Sequence, residues 1–317
     1  MIHIAVIIIT YHRNQGLVKL LTELRRQQCH DSTRLFRLTT IIVDNDCEGF
    51  AAASVEPFKL VSELNIRYIV EPTLGIPLAR NAGIAAVPDD AEFFCFIDDD
   101  EWPGHTWIDE LLKTQRATGA DCVQGGVIPV YPEAAPKRLV KIGIFNGIHY
   151  VDKVSLKEGA SCNVLISTAF IRRTGLRFDK RLRMTGGSDY LFFKQAIALG
   201  MRIVGSAEAT VYEDIPMNRM TLRWICQRHY RCGNTFYISE RLSGTRIDLF
   251  KWTRLGVSHI CRGFVTLPTL LFLPHYGMRS IMHLSRGAGI IAGICGYKYE
   301  EYSPKGLARD RSTQISR

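Results

Sequence analysis

Along the first half of the chain, short apolar runs alternate with stretches in which apolar positions recur every three or four residues. Residues 2–9, 40–43, 66–70 and 93–97 are the apolar runs, and 16–28, 76–86 and 105–117 carry the helical spacing. Short apolar runs alternating with helical patterns predict βαβ units, hence an α/β fold with a mainly parallel central sheet flanked by helices. In such sheets ligands sit at the carboxyl ends of the strands. Thr10 to Arg13, Asp44 to Asp46 and Asp98 to Asp100 each follow a strand on that edge. Residues far apart in sequence are therefore expected to share one site.

The middle of the chain is less regular. It offers a Gly/Pro-rich passage from Gly125 to Pro136, a strand at Asn163 to Ser167, and a helix from about Ser188 to Leu199. Beyond Pro216 the pattern changes. Residues 219–240 place Leu222, Ile225, Tyr230 and Phe236 among Arg219, Arg223, Arg228 and Arg231, as one basic helix or one broken at Gly233. Two apolar segments follow, about 255–274 and 278–296. A membrane-spanning helix needs roughly 20 predominantly apolar residues. The first segment contains His259, Arg262, Pro268 and Pro274, and the second Arg279, His283, Arg286 and several glycines. Neither is a clean span. Basic residues amid apolar ones fit a tail lying in the membrane interface, anchored in part by Trp252, Tyr276 and Tyr297. Ordinary core helices of a C-terminal subdomain are the other reading. The expected division is a domain over 1–216 and a basic helical region over 217–317.

Charge sharpens that division. The 317 residues are 46% hydrophobic and 22% charged, an ordinary globular composition that argues against disorder. Residues 1–216 hold 24 Lys and Arg against 26 Asp and Glu, whereas 217–317 hold 16 against 5, so the whole net charge of +9 is C-terminal. A basic third suits nucleic acid or an anionic membrane surface. Because apolar segments accompany the charge, the membrane surface is the expected partner and nucleic acid is not. The nine cysteines are scattered without a C-x-x-C pair, which suggests neither a disulfide framework nor a zinc site and fits a reducing compartment. The apolar start is short and lacks a basic leader, so it reads as a strand of a protein that is not exported.

Two acidic features carry the candidate chemistry. Asp98, Asp99 and Asp100 follow directly on Phe93-Phe94-Cys95-Phe96-Ile97. Clustered carboxylates at a strand end repel unless a cation or ligand hydroxyls compensate. The alternative is a solvated acidic turn in which Asp99 or Asp100 caps the helix starting near His105. The second feature is Thr185-Gly186-Gly187-Ser188-Asp189. Two glycines allow a tight turn, Ser188 can act as the N-cap, and Asp189 then sits in the first helical turn, where the dipole favours its ionised form; it is suited to act as a general base, and stabilising the helix start is the other reading.

Five motifs in order extend the picture: Val6-Ile7-Ile8-Ile9-Thr10-Tyr11-His12-Arg13, Ile42-Val43-Asp44-Asn45, Leu78-Ala79-Arg80-Asn81-Ala82-Gly83, Phe96-Ile97-Asp98-Asp99-Asp100 and Gly186-Gly187-Ser188-Asp189. Over residues 3–232 the chain resembles glycosyltransferase family 2. Within it, Val211-Tyr212-Glu213-Asp214-Ile215-Pro216 and Arg223-Trp224 followed by Arg228, Arg231 and Gly233 resemble the bacterial exopolysaccharide enzymes of the succinoglycan type.

The resemblance implies an A-type glycosyltransferase fold in which a nucleotide sugar lies across the strand ends and transfer inverts the anomeric carbon. Thr10, Tyr11 and Arg13 would hold the uracil and ribose, Asp44 would accept from the uracil N–H, and Arg80 would approach the nucleotide. Asp98 and Asp100 would form the D-x-D pair for Mg²⁺ or Mn²⁺, with Asp99 facing ribose hydroxyls. Asp189 would be the base. Arg223 and Trp224 are candidates for the acceptor, though Trp224 equally suits a core.

Departures refine the expectation. Ser188 stands where many members have Glu, and Met220-Thr221-Leu222-Arg223-Trp224 lacks the glutamine of the processive Q-x-x-R-W motif. Long multi-span segments are also missing, so a single-addition enzyme is expected rather than a polymerase. The implied reaction moves a hexose, glucose from UDP-glucose, to a polyprenyl diphosphate-linked oligosaccharide at the cytoplasmic face of the bacterial inner membrane. Another UDP- or dTDP-sugar, or an inactive membrane-associated scaffold, are the alternatives. A nucleotidyltransferase would need a glycine-rich basic phosphate loop after the first strand, and residues 10–16 do not supply one.

Overall fold

The computed structural model describes residues 1–29, 35–244, 246–272 and 274–303, and of 274–276, Tyr276 included, the backbone only. In chain order the elements are β1 (Ile2–Thr10), α1 (Asn14–Leu24), β2 (Phe36–Asp44), α2 (Ala52–Val55), β3 (Ile66–Val70), α3 (Ile76–Ala85), β4 (Phe93–Phe96), β5 (Glu101–Pro103) and α4 (Trp107–Thr118). There follow β6 (Cys122–Val130), α5 (Lys137–Ile142), β7 (Val164–Ser167), α6 (Thr168–Thr174), α7 (Ser188–Ala198) and β8 (Ile203–Asp214). The chain then turns helical: α8 (Leu222–Leu242), α9 (Leu249–Thr266), α10 (Thr269–Phe272) and α11 (Pro274–Ile294). Two compact units are distinguished: 1–130, 147–180 and 192–214 form the first, and 131–146, 181–191 and 215 onward the second.

The first unit holds an eight-stranded sheet in the order β3-β2-β1-β4-β7-β6-β8-β5. β3, β2, β1 and β4 run parallel, β7 is antiparallel to β4 and β6, β8 pairs parallel with β6, and β5 is antiparallel to β8. The expected α/β fold with a mainly parallel sheet is thus present. β1 explains why its sequence is apolar without alternation. Val6 and Ile8 pack with Leu17, Leu20 and Leu21 of α1 and Leu111 of α4, while Ala5 and Ile7 join Ala79 and Ile84 of α3 with Phe94, Phe96 and Phe178. A strand covered on both faces reads as a continuous apolar run.

Several expected boundaries move, each for a local reason. α1 ends at Leu24 rather than near residue 28 because the following chain is recruited elsewhere. Gln27 Nε2 donates to Gly104 O at 2.7 Å, its Oε1 accepts from Ile108 N at 3.1 Å, and Gln28 N donates to His105 O at 2.7 Å. β2 starts at Phe36, four residues before the apolar run, because buried Thr39 is satisfied by His3 Nε2 and Asn65 Nδ2, each at 2.9 Å from its hydroxyl. The Gly/Pro-rich passage is partly strand: β6 runs through Gly125 and Gly126 with a register shift there. Asn163 fills the space, its Nδ2 donating to Gly126 O at 2.6 Å and Ala209 O at 2.7 Å while Oδ1 accepts from Trp107 Nε1 at 2.6 Å.

In the second unit α8 is unbroken through Gly233. A Cβ on Gly233 would stand 2.1 Å from Arg286 O, so this glycine permits close packing of α11 and is no helix break. Tyr237, Trp252 and Ile290 form a buried cluster with Phe236, Leu255 and Ile294 packed against it. Trp252, expected as an interfacial anchor, is therefore a core residue, because its ring packs edge-on against Phe236 and Tyr237 at 5.1 and 5.3 Å. Tyr297 is exposed. No helix among the described residues is long and apolar enough to cross a membrane.

Candidate active site

Register places the first group of candidates. Thr10, the last residue of β1, is the partner of Asp44, the last residue of β2, and Asp44 in turn pairs with Val70 of β3. β4 lies on the other side of β1, with Ile7 opposite Phe96, so the aspartates after β4 emerge at the same carboxyl edge. Thr10, Asp44 and the aspartate triplet are brought together as the strand pattern predicts.

Three consecutive aspartates then receive three environments. Asp99 has a side chain 7% exposed, its Oδ2 accepting from Thr10 Oγ1 at 2.8 Å and its Oδ1 from the Arg13 guanidinium at 3.0 Å. Arg13 also donates to Asp100 Oδ2 at 2.8 Å, and the Asp100 side chain is 21% exposed. Asp98, at 38%, is the most open of the three and lies 3.9 Å from Arg80 Nη2. With one donor on each oxygen, the Asp99 carboxylate retains lone pairs for a further hydroxyl. The capping alternative is not seen: the N-cap of α4 is Thr106, without a side-chain cap.

Electrostatics at this edge are governed by desolvation and crowding. Although 38% of its side chain meets solvent, desolvation by the surrounding protein pushes Asp98 up to about 7, with Asp100 and Asp99 adding to the rise and Arg80 pulling against it. Asp99 is pushed up to about 6 by burial and Asp100, against Arg13 and the Thr10 hydroxyl. Buried Glu101, which accepts from Asp98 N at 3.0 Å, is raised well above the carboxylate range by burial and by Asp98. Burial acts to lower Arg13, but Asp99 and Asp100 outweigh it and raise its pKa. The turn holds more acid than its arginines offset.

Those carboxylates fit a hard divalent cation completed by other ligands. Among the described residues no group of three or more His, Cys, Asp and Glu is arranged to hold a metal alone. Mg²⁺ and Mn²⁺ commonly take one or two carboxylates with substrate phosphates and water. Asp98 and Asp100, the open members, are the residues that would hold it.

Asp44 lies beside this turn and is fully buried. Its Oδ2 accepts from Ala51 N at 2.7 Å and from the Tyr68 hydroxyl at 2.6 Å, while its Oδ1 is buried with no protein partner. A buried acceptor left unmade costs about 1–3 kcal/mol, and this oxygen has the free capacity to accept an N–H. Next to it Asn45 fixes the approach to α3, donating to Glu71 O and Thr73 O at 3.0 and 2.9 Å and accepting from Gly75 N at 2.8 Å. Tyr11 meets the His12 ring edge-on at 4.4 Å, and His12 in turn lies against Phe50 and pairs with Asp46 at 3.0 Å. Arg80 is buried, its guanidinium 5.3 Å from the Phe178 ring.

The second unit carries the remaining candidates. Gly186 and Gly187 take φ of +80° and +78°, a turn that favours glycine. Leu191 N donates to Gly187 O, so Gly187 occupies the cap position and Ser188, expected there, is the first helical residue. Asp189 is partly exposed and its Oδ1 accepts from Tyr190 N at 2.9 Å. Arg231 backs this turn: a Cβ on Gly186 would meet its Nη1 at 2.7 Å. Its Nε pairs with Glu301 at 2.6 Å and its Nη1 donates to the Tyr302 hydroxyl at 3.3 Å. Tyr302, Glu301 and Asp189 together raise the Arg231 pKa against the opposing effect of burial. Arg223 is exposed at the start of α8. Trp224 is only partly buried, with the Arg219 and Arg228 guanidiniums 6.0 and 5.9 Å from its ring and Phe145 at 5.8 Å.

Sequence reading missed Glu101, Tyr68, Phe178 and the backing role of Arg231. Only Glu101 left a signal, as a fourth acid directly after the triplet.

Comparison with known proteins then places the chain. The profile of Glycosyl transferase family 2 matches residues 5–177. The chain is 32% identical over 314 residues, 96% of its own length and 97% of the relative's, to the succinoglycan biosynthesis protein ExoM of Rhizobium meliloti (strain 1021). Among solved structures, S. aureus TarS 1–349 with UDP-GlcNAc superposes with a TM-score of 0.53 at 16% identity, covering 95% of this chain and 93% of that one. Mannosyltransferase PcManGT from Pyrobaculum calidifontis, in complex with GDP-Man and Mn²⁺, gives 0.55 at 13% identity over 98% and 80%. At these identities the structural matches establish a shared fold.

Proposed function

The chain belongs to glycosyltransferase family 2 and is a glycosyltransferase, and from that premise we propose an inverting, metal-dependent enzyme that moves glucose from UDP-glucose to a lipid-linked oligosaccharide in bacterial exopolysaccharide synthesis. The observation that carries this reading is a join made by strand register and hydrogen bonds. Asp44 offers a buried unpaired oxygen at the end of β2, its register partner Thr10 is tied to Asp99, and Asp99 shares Arg13 with Asp100. A seat for a base N–H is thus coupled to an acid cluster suited to a diphosphate and its cation. The likeness to the succinoglycan protein supports the exopolysaccharide assignment.

In this reading Tyr11 and Arg13 flank the nucleoside, Asp44 accepts from uracil N3–H, and Arg80 meets the diphosphate. Asp99 acts by holding Thr10 and Arg13. Bound at Asp98 and Asp100, the divalent cation would offset the charge of the departing diphosphate. The acceptor oxygen forms its bond to the anomeric carbon as the bond to the diphosphate oxygen breaks, and the hydroxyl proton passes to Asp189. One base suffices for a single displacement with inversion. Arg223 and Trp224 contact the acceptor, whose diphosphate and lipid place the reaction at the cytoplasmic face of the inner membrane. A different UDP- or dTDP-sugar is the second reading, since the Asp44 seat recognises the base and is blind to the sugar.

The test pairs two substitutions with radiolabelled UDP-glucose, dTDP-sugars in parallel, and membranes bearing the lipid-linked acceptor. Asp189→Asn is expected to keep UDP and metal binding while transfer falls about 10²–10⁴-fold. Asp100→Ala is expected to lose metal-dependent donor binding. Transfer by Asp189→Asn at the parent rate would remove the base assignment, and product formed only from a dTDP-sugar would replace the donor.

A further inference from the structure

The α9 helix presents a face that the rest of the second unit leaves open. Its inner side is accounted for: Trp252, Gly256 and Gly263 are buried, and a Cβ on Gly256 or Gly263 would meet Ile291 or Leu284 of α11 at 2.8 and 2.6 Å. On the outer side Phe250, Val257 and Phe264 are 77%, 46% and 62% exposed. They are spaced seven apart, so on an α-helix they fall within about 20° of one another per repeat and form one stripe. Val265 extends it at 79%, and Leu271 and Phe272 of α10, next along the chain, are 80% and 81% exposed.

Large apolar side chains in a contiguous exposed row mark a contact surface. The charges around this row indicate its partner. No Asp or Glu occurs between Asp248 and Glu300, whereas Lys251, Arg254, Arg262, Arg279, Arg286 and Lys298 all fall in that interval. Lys251, Arg254 and Arg262 lie on the exposed side of α9 itself. A helix with an apolar stripe, flanking basic residues and no acid suits an anionic bilayer surface, where apolar side chains enter the acyl boundary and the cations meet headgroup phosphates.

We propose that the α9–α10 segment is the membrane-contact element of this enzyme, lying in the interface of an anionic bilayer with Phe250, Val257, Phe264 and Leu271 inserted. The proposal deepens the membrane-surface part of the reading above and is independent of the donor and of Asp189. It also separates the anchoring residues from the core: the stripe inserts while Trp252 stays packed inside.

The full chain is sedimented with vesicles of phosphatidylglycerol and phosphatidylcholine, and with phosphatidylcholine alone. Strong binding to the first and weak binding to the second are expected. Phe250→Ser and Phe264→Ser should each lower partitioning about tenfold or more, with melting temperature and UDP affinity unchanged because both side chains are exposed. Lys251→Gln, Arg254→Gln and Arg262→Gln should each lower it about fivefold on the charged vesicles only. The proposal is overturned if a variant carrying both Phe250→Ser and Phe264→Ser sediments like the parent. It is equally overturned if the lipid-free parent is a dimer that Phe264→Ser converts to monomer, since the stripe would then be covered by a second copy. Vesicle binding is read without turnover, so loss of the donor assignment would leave this result standing, and the reverse.

Discussion

Gly16→Ala sets two physical effects against each other at the site. In an ordinary helix the change would stabilise by about 1 kcal/mol. Here a Cβ at position 16 would stand 2.3 Å from the Asp99 carbonyl oxygen, 3.4 Å from its carbon and 3.7 Å from the Asp100 Cα. An unstrained carbon–oxygen contact is about 1 Å longer than the first of these. Both sides of the contact are backbone, so neither can swing aside. Thr10 and Arg13 hold Asp99, and the Asp98 N–H is held by Glu101, so the turn resists the push from α1. Overpacking of this kind costs about 1–3 kcal/mol. For a chain of this size the melting temperature should fall by roughly 1.5–5 °C. Displacing the turn by about 1 Å should lower turnover on the order of 10²-fold. Thermal denaturation and UDP-sugar transfer are measured together, with Val18→Ala on the exposed side of α1 as the control. An alanine variant at least as stable as the parent and equally active would refute the claim that contact between α1 and the aspartate turn fixes the site.

Three further outcomes follow from the contacts. Tyr68→Phe removes one of the two donors to buried Asp44 Oδ2, so stability should drop by about 1–3 kcal/mol and the donor KM should rise with little change in kcat; an unchanged KM counts against Asp44 as the base seat. Asn163→Ala breaks three buried hydrogen bonds at the β6 irregularity and should cost about 3–5 kcal/mol by urea titration, and a loss below about 1 kcal/mol would mean that β6 relaxes freely. His229 is pushed down from its ordinary 6.5 to about 4 by burial and by Arg286 and His283. Between those values the unfolded chain binds the proton more readily, so stability falls as pH drops from 6.5 to 4. After discounting for partial exposure the loss is about 1–2 kcal/mol, and His229→Gln should flatten that part of the pH–stability curve relative to the parent. Parallel curves for the two proteins would show that His229 titrates normally.

What could be read from the sequence depended on whether a residue's environment was set nearby or far along the chain. β1, β3 and α3 were legible because their apolar patterns report burial directly. β6 was not, since Gly125 and Gly126 open an irregular Gly/Pro-rich passage, and only Asn163, some 37 residues on, supplies the hydrogen bonds that keep the strand in the sheet. β8 was missed for a related reason: Ile203 to Ser206 are buried, but Ala207 and Glu208 are exposed and interrupt the apolar pattern before Ala209 and Val211 return to the core.

The site divides in the same way. The aspartate triplet announces itself, yet nothing local distinguishes Asp98, Asp99 and Asp100, which are identical in chemistry and adjacent in sequence. Their difference comes from partners 18 to 89 positions away: Arg80 beside Asp98, Thr10 and Arg13 on Asp99, and Arg13 again on Asp100. Both Asp99 oxygens are engaged by donors, yet burial and Asp100 still raise it, to about 6, so it is the member compensated most from within the protein. Asp98 and Asp100 are more open, and Asp98 carries the raised pKa of a carboxylate short of compensation. A cation should therefore act first on Asp98. If divalent metal with UDP is titrated in while the Asp98 carboxyl is followed by NMR, its pKa should fall from about 7 into the usual carboxylate range, because a bound cation favours the ionised form. An Asp98 pKa that does not move while metal binds would place the cation elsewhere and leave the D-x-D assignment without support.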